Sequence, residues 1–205
     1  MNRATDARRA SCPERSTMTQ LLLRVRRTPD RLLHPLRRRK ALQALRARRR
    51  PATLLVVCHG NICRSPLAAA LFHRELAPLG IDVQSGGFIG FNRPAPAEAV
   101  IAAARRGVDL TPHRSCLLRA DPVRDADLIV VMDQQQRRRL CERYGRAPRD
   151  VIMLGDFDPE PVETRTIRDP VDESLAVFDE VYGRIERCVQ EVAGVLRHPV
   201  VAARP

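Results

Sequence analysis

The chain has 205 residues, 36 Lys+Arg against 24 Asp+Glu, a formal net charge of +12, and 3% aromatic content without tryptophan. That length suits one domain with a real core. Residues 1–50 hold 16 basic and 3 acidic side chains and residues 51–205 hold 20 and 21, so the basicity belongs to a leader and says little about the domain.

The leader carries Arg26-Arg27, Arg37-Arg38-Arg39-Lys40 and Arg48-Arg49-Arg50, interrupted by Pro29 and Pro35. Its apolar run Leu21-Leu22-Leu23 is too short for a signal-peptide core or a membrane span. Lys40 is the only lysine, which points to a GC-rich genome that inflates arginine runs. Residues 1–50 are therefore expected to be a basic, disordered extension. The competing reading is an arm that contacts acidic lipid or nucleic acid. The six cysteines (12, 58, 63, 116, 141, 188) lack both the density of a secreted disulfide framework and the paired spacing of a zinc module. A reducing cytoplasm is the expected compartment.

Thr53-Leu54-Leu55-Val56-Val57 is a short apolar, β-branched run and is expected as a buried strand. A loop follows, Cys58-His59-Gly60-Asn61-Ile62-Cys63-Arg64-Ser65-Pro66, in which Gly60 and Asn61 suit left-handed backbone and Pro66 suits a first helical turn. Leu67 to Leu76 reads as a helix. Ile81 to Ser85 reads as a second strand ending at Gly86-Gly87, and Ala95 to Arg106 as a helix behind Pro94 and Pro96, closed by Gly107. Asp127 to Met132 is a buried strand, and Gln134 to Tyr144 a helix ending at Gly145. Val151 to Leu154 is a fourth strand. A polar loop then leads to Asp169-Pro170. Asp172 to Leu196 closes the chain as a helix, with Leu175, Phe178, Val181, Ile185, Cys188, Val189, Val192 and Leu196 at helical spacing. Strands alternating with helices imply an α/β fold, a parallel sheet with helices on both faces.

The loop carries chemistry. A turn that wraps one point and opens a helix aims backbone N–H groups at a single anion site. A cysteine there ionises more readily than a free thiol, so Cys58 is expected as a thiolate nucleophile. The planar fork of Arg64 matches two phosphate oxygens, and Ser65 can donate its hydroxyl to the sulfur. A zinc site from Cys58, His59 and Cys63 lacks a fourth ligand and would face Arg64. No metal or other cofactor is called for.

This block, Val-Cys-x-Gly-Asn-x-Cys-Arg-Ser-Pro, resembles the signature of the low-molecular-weight protein tyrosine phosphatase family, and the resemblance runs from about Thr53 to Leu196. It implies a three-layer αβα fold with a four-stranded parallel sheet of order 2-1-3-4 and the phosphate loop after strand one. It also implies hydrolysis of phosphotyrosine through a phosphocysteine. Cys58, Arg64 and Asp169 would be catalytic, with Asp169 as the proton donor chosen over Asp121 of the other Asp-Pro pair. His59, Gly60, Asn61, Ile62, Cys63 and Ser65 would line the phosphate site. Asn61, Ser85 and His113 would brace the loop, and Asp133 would be structural. Cys63 is either a redox partner of the nucleophile or a packing residue. One aromatic wall of the substrate cleft would be Phe91. The other, tyrosine just after the Asp-Pro pair in relatives, is replaced by Val171-Asp172. Ile62 favours phosphotyrosine over phosphoarginine, for which relatives carry threonine. Partners implied are a tyrosine-phosphorylated protein and, in bacteria, a tyrosine kinase controlling exopolysaccharide export. A thiol-based arsenate reductase of this fold would need two further cysteines close together, which Cys116 and Cys141 do not supply. A phosphate-binding module without catalysis is the other alternative.

Overall fold

Four short apolar strands build one parallel sheet in the order β2-β1-β3-β4: β1 Thr53–Cys58, β2 Asp82–Gly87, β3 Leu128–Val131 and β4 Val151–Met153. The computed structural model describes residues 17–198, with side chains described from residue 30 onward. Side chains alternate across β1 and β3 because successive residues of a strand point to opposite faces. Leu54, Val56, Leu128 and Val130 join one apolar layer with α2 (Arg64–Leu76), α3 (Ala97–Ala104) and α6 (Leu175–Arg197). Leu55, Val57, Ile129 and Val131 join the other with α4 (Ala120–Asp125) and α5 (Gln134–Tyr144). The expected sheet order and the three layers are both present.

Local differences have local causes. β2 runs on through Gly86 and Gly87, two residues beyond the expected Ser85. The bare backbone is required there, since a Cβ on Gly87 would lie 2.8 Å from the Asn61 nitrogen. The second helix begins at Arg64 rather than Leu67, directly out of the loop. α3 is shorter at both ends than the Ala95–Arg106 expected, entering behind Pro96 and ending before Gly107, whose φ is +70°. The short α4, which contains Asp121-Pro122, was not foreseen. Asp121 is exposed and pairs with Arg124 on the same turn.

The N-terminal expectation needs correction. Residues Thr17–Arg46 form a helix, α1, that continues through Pro29 and Pro35. From residue 30 it packs on the domain: Leu42 and Leu45 are buried in the larger core layer, and the His34 ring contacts the Asp158 carbonyl at 3.0 Å. Arg38 pairs with Glu191 of α6. Beyond the helix, Arg48 donates to the Asp127 carbonyl and to Asp150. His34, Ala41, Leu42 and Leu45 recur on one helical face, so a buried stripe lies among arginines whose count suggested solvent. Residues 1–16 of the expected disordered extension lie outside the described residues.

Candidate active site

β1 ends at Cys58 and α2 begins at Arg64, so five residues must turn the chain at the carboxyl edge of the sheet. The turn is made by Asn61, whose φ of +49° is the left-handed conformation; Gly60, also expected there, is not among the positive-φ residues. Asparagine tolerates this backbone better than most side chains.

The loop carbonyls are held from outside. His59 accepts from the Ile89 N–H at 3.1 Å and Gly60 from Arg93 Nη2 at 3.0 Å. Asn61 accepts from His113 Nε2 at 2.7 Å and Cys63 from the Tyr182 hydroxyl at 3.1 Å. A trans peptide places its N–H opposite its C=O. Four carbonyls drawn outward therefore turn the following N–H groups, those of Gly60, Asn61, Ile62 and Arg64, toward the enclosed point. The Asn61 N–H does reach Cys58 Sγ, at 3.3 Å. Burial keeps the Tyr182 phenol protonated by pushing its pKa up, so it stays a donor.

A side-chain relay braces the same turn. Asn61 is fully buried and its Nδ2 donates to Ser65 Oγ and to Ser85 Oγ, both at 2.9 Å. Its Oδ1 accepts from the Cys116 N–H at 2.8 Å. Ser65 passes the relay on, donating to Cys58 Sγ at 3.0 Å. Cys58 thus receives one backbone and one hydroxyl hydrogen bond.

Arg64 is 3% exposed. Its Nη1 donates to the Ile167 carbonyl at 3.1 Å, its Nη2 pairs with the Asp169 carboxylate, and its Nε is buried without a protein partner. Asp169 comes from the loop after β4 and its side chain is 41% exposed. The two residues expected to stabilise and to protonate the substrate therefore meet across the Cys58 turn. A groove of about 340 Å³ opens there, lined by His59, Arg64, Asp133, Gln136, Arg139 and Asp169 among others. Asp133 is structural, as expected. It caps α5 by accepting from the Gln136 N–H at 2.8 Å, and Gln136 accepts from the Met132 N–H at 2.9 Å.

Cys63 is buried, and desolvation, with the negative charges of Asp169 and Cys58, pushes its thiol up to about 12. A thiol so held is neutral across the physiological range and suits the packing role. Phe91 is 76% exposed on the loop after β2 and does not line the groove. The other wall position, Val171, is also at the surface, and Asp172 takes a left-handed φ of +62°. Ile62 packs against the core from the loop.

Sequence reading missed Arg93, Tyr182, Gln136 and Arg139. An arginine between turn residues and a tyrosine inside an amphipathic helix carry no local pattern. Tyr182 had one faint signal, a hydroxyl on the apolar face of α6, where a buried phenol needs a partner.

Residues 53–201 match the model of the low molecular weight phosphotyrosine protein phosphatases. The chain is 38% identical over 138 residues to a probable low molecular weight protein-tyrosine-phosphatase, EpsP, of Ralstonia nicotianae, covering 67% of this chain and 90% of the relative. Among solved structures it resembles the tyrosine phosphatase AmsI of Erwinia amylovora, with TM-score 0.63, 31% identity, and coverage of 70% of this chain and 92% of that one. It also resembles the YwlE arginine phosphatase of Geobacillus stearothermophilus, with TM-score 0.64, 27% identity, and coverage of 72% and 94%.

Proposed function

The chain belongs to the low molecular weight phosphotyrosine protein phosphatase family, and we propose that it hydrolyses phosphotyrosine in proteins through a phosphocysteine carried on Cys58. The observation that supports this best is the meeting of three groups: a sulfur receiving two hydrogen bonds, a buried guanidinium with one unpartnered N–H, and a half-exposed carboxyl group.

The substrate phosphate enters the amide-lined turn, and its oxygens take over Arg64, including the free Nε. This releases Asp169. The Cys58 thiolate attacks phosphorus in line while the amides and Arg64 stabilise the equatorial oxygens. The phosphorus–oxygen bond to tyrosine breaks, and protonated Asp169 supplies the proton to the departing phenolate oxygen. Ser65 stabilises the sulfur as it leaves in the second step, in which Asp169 takes a proton from water and the phosphocysteine is hydrolysed to inorganic phosphate. The side chains of Asn61, Ser85 and His113 hold the turn and do not touch the reacting atoms.

Ile62 favours this reading over phosphoarginine hydrolysis, the activity named for the YwlE neighbour. An apolar side chain packed into the core offers no hydroxyl at that loop position. The protein substrate we propose is an autophosphorylated bacterial tyrosine kinase of exopolysaccharide export.

Mass spectrometry of acid-quenched enzyme with a phosphotyrosyl peptide tests the chemistry. One phosphoryl group is expected on Cys58 and none in Cys58→Ala. Phosphate on another side chain, or faster turnover of a phosphoarginyl peptide, overturns the assignment. Capture of a tyrosine kinase by Asp169→Ala tests the partner.

A further inference from the structure

We propose that α1 is a docking surface for anionic lipid, through Leu32, Leu33 and Leu36 together with Arg39 and Lys40. The three leucines are 71%, 43% and 57% exposed, although large apolar side chains elsewhere in the domain are mostly buried. Leu36 lies four residues from Leu32 and three from Leu33, so the three form one strip on the helix surface. Arg39 and Lys40 continue it by one turn. The opposite face is already occupied, with His34, Leu42 and Leu45 buried against the domain.

Charge identifies the occupant. Asp30 is the only acid in α1, and it pairs with Arg37. No carboxylate partners Arg39 or Lys40 among the described residues. Exposed leucines rimmed by arginine and lysine fit a helix lying in a membrane interface. The leucines enter the acyl boundary and the cations meet headgroup phosphates. A nucleic acid would use the same cations but leave the leucines in water. Among the described residues no helix is long and apolar enough to cross a membrane, so α1 lies on the lipid rather than through it.

The orientation matters. His34 touches Asp158, beyond the carboxyl end of β4, whereas Arg48, just past α1, binds the carbonyls of Asp127 and Arg149 ahead of β3 and β4. α1 therefore runs antiparallel to the strands, and its leucines lie at the edge where β1 delivers Cys58. Docking would bring the catalytic edge to the lipid surface and favour phosphotyrosines close to a bilayer. This last consequence rests on the proposed phosphatase activity; the lipid contact does not.

The test is co-sedimentation of the full chain with vesicles of phosphatidylcholine, with and without phosphatidylglycerol. Binding is expected only with phosphatidylglycerol. Leu32→Ser/Leu36→Ser and Arg39→Gln/Lys40→Gln should each weaken it by about tenfold, given the apolar and electrostatic contributions to interfacial binding. Circular dichroism and turnover of p-nitrophenyl phosphate should stay unchanged, because none of the four residues lies in the catalytic groove. Cys58→Ser should bind vesicles as the natural chain does, which separates lipid binding from catalysis. Absence of binding, equal binding to neutral vesicles, or a loss confined to the Arg39/Lys40 variant with competition by RNA would overturn the proposal.

Discussion

In this structure Arg64 holds Asp169, so the proposed proton donor occupies the guanidinium proposed to bind the substrate phosphate. Replacing Asp169 with alanine should therefore move catalysis and anion binding in opposite directions. A charge-assisted hydrogen bond between desolvated partners contributes about 1.5–3 kcal/mol. Solvent on the carboxylate side brings that toward 1 kcal/mol. Phosphate that must displace the carboxylate then binds about fivefold more weakly than it would to a free Arg64. Loss of the proton donor should slow turnover by about 10²–10⁴-fold for phenyl phosphate, whose phenolate needs the proton. The loss should be smaller for p-nitrophenyl phosphate, a better leaving group. The assay is kcat for both esters together with inhibition by inorganic phosphate. Equal losses on the two esters, or weaker phosphate inhibition in Asp169→Ala, would refute the reasoning.

The brace should be as measurable as the chemistry. Asn61→Ala removes three buried hydrogen bonds, at about 1 kcal/mol each, and places alanine in left-handed backbone at about 1–2 kcal/mol more, so denaturant titration should show a loss of about 4 kcal/mol. Asn61→Gly loses the same bonds without that strain and should be the more stable of the two by about 0.5–1 kcal/mol once glycine's unfolded-state freedom is counted. Burial holds the Cys63 thiol at about 12, so iodoacetamide at neutral pH should label Cys58 and spare Cys63 until the pH rises well above 9; peptide mapping reads this directly. Leu45→Ala should cost about 2–3 kcal/mol in thermal or chemical unfolding, because the side chain is 2% exposed within the core. A loss below about 0.5 kcal/mol would return α1 to the status of a loose appendage.

The strand runs, the Cys58–Arg64 loop opening a helix, and the apolar stripe of α6 were legible because each is a local pattern with a local cause. Buried parallel strands are continuous apolar runs. An anion site needs a turn, a helix start and a planar cation within a few residues. The family resemblance added Asp169, Ser85 and His113, which lie in two separate loops and on β2 and share no local signal. The structure brings Asp169 to Arg64, and Ser85 and His113 to Asn61. Composition misled at α1, where arginine counts hid three buried positions on one face. It could not reveal Phe91 standing clear of the groove, because exposure is decided by what surrounds a loop.

From residue order alone came the kind of chemistry, since a sulfur, a turn and a guanidinium at fixed spacing belong to one continuous segment. Tertiary structure decided how that segment is held. Ile89, Arg93, His113 and Tyr182 come from distant elements to bind four loop carbonyls, and only their convergence turns the amides inward. Peptide planarity makes the two facts one: a carbonyl anchored outside leaves its N–H facing the anion.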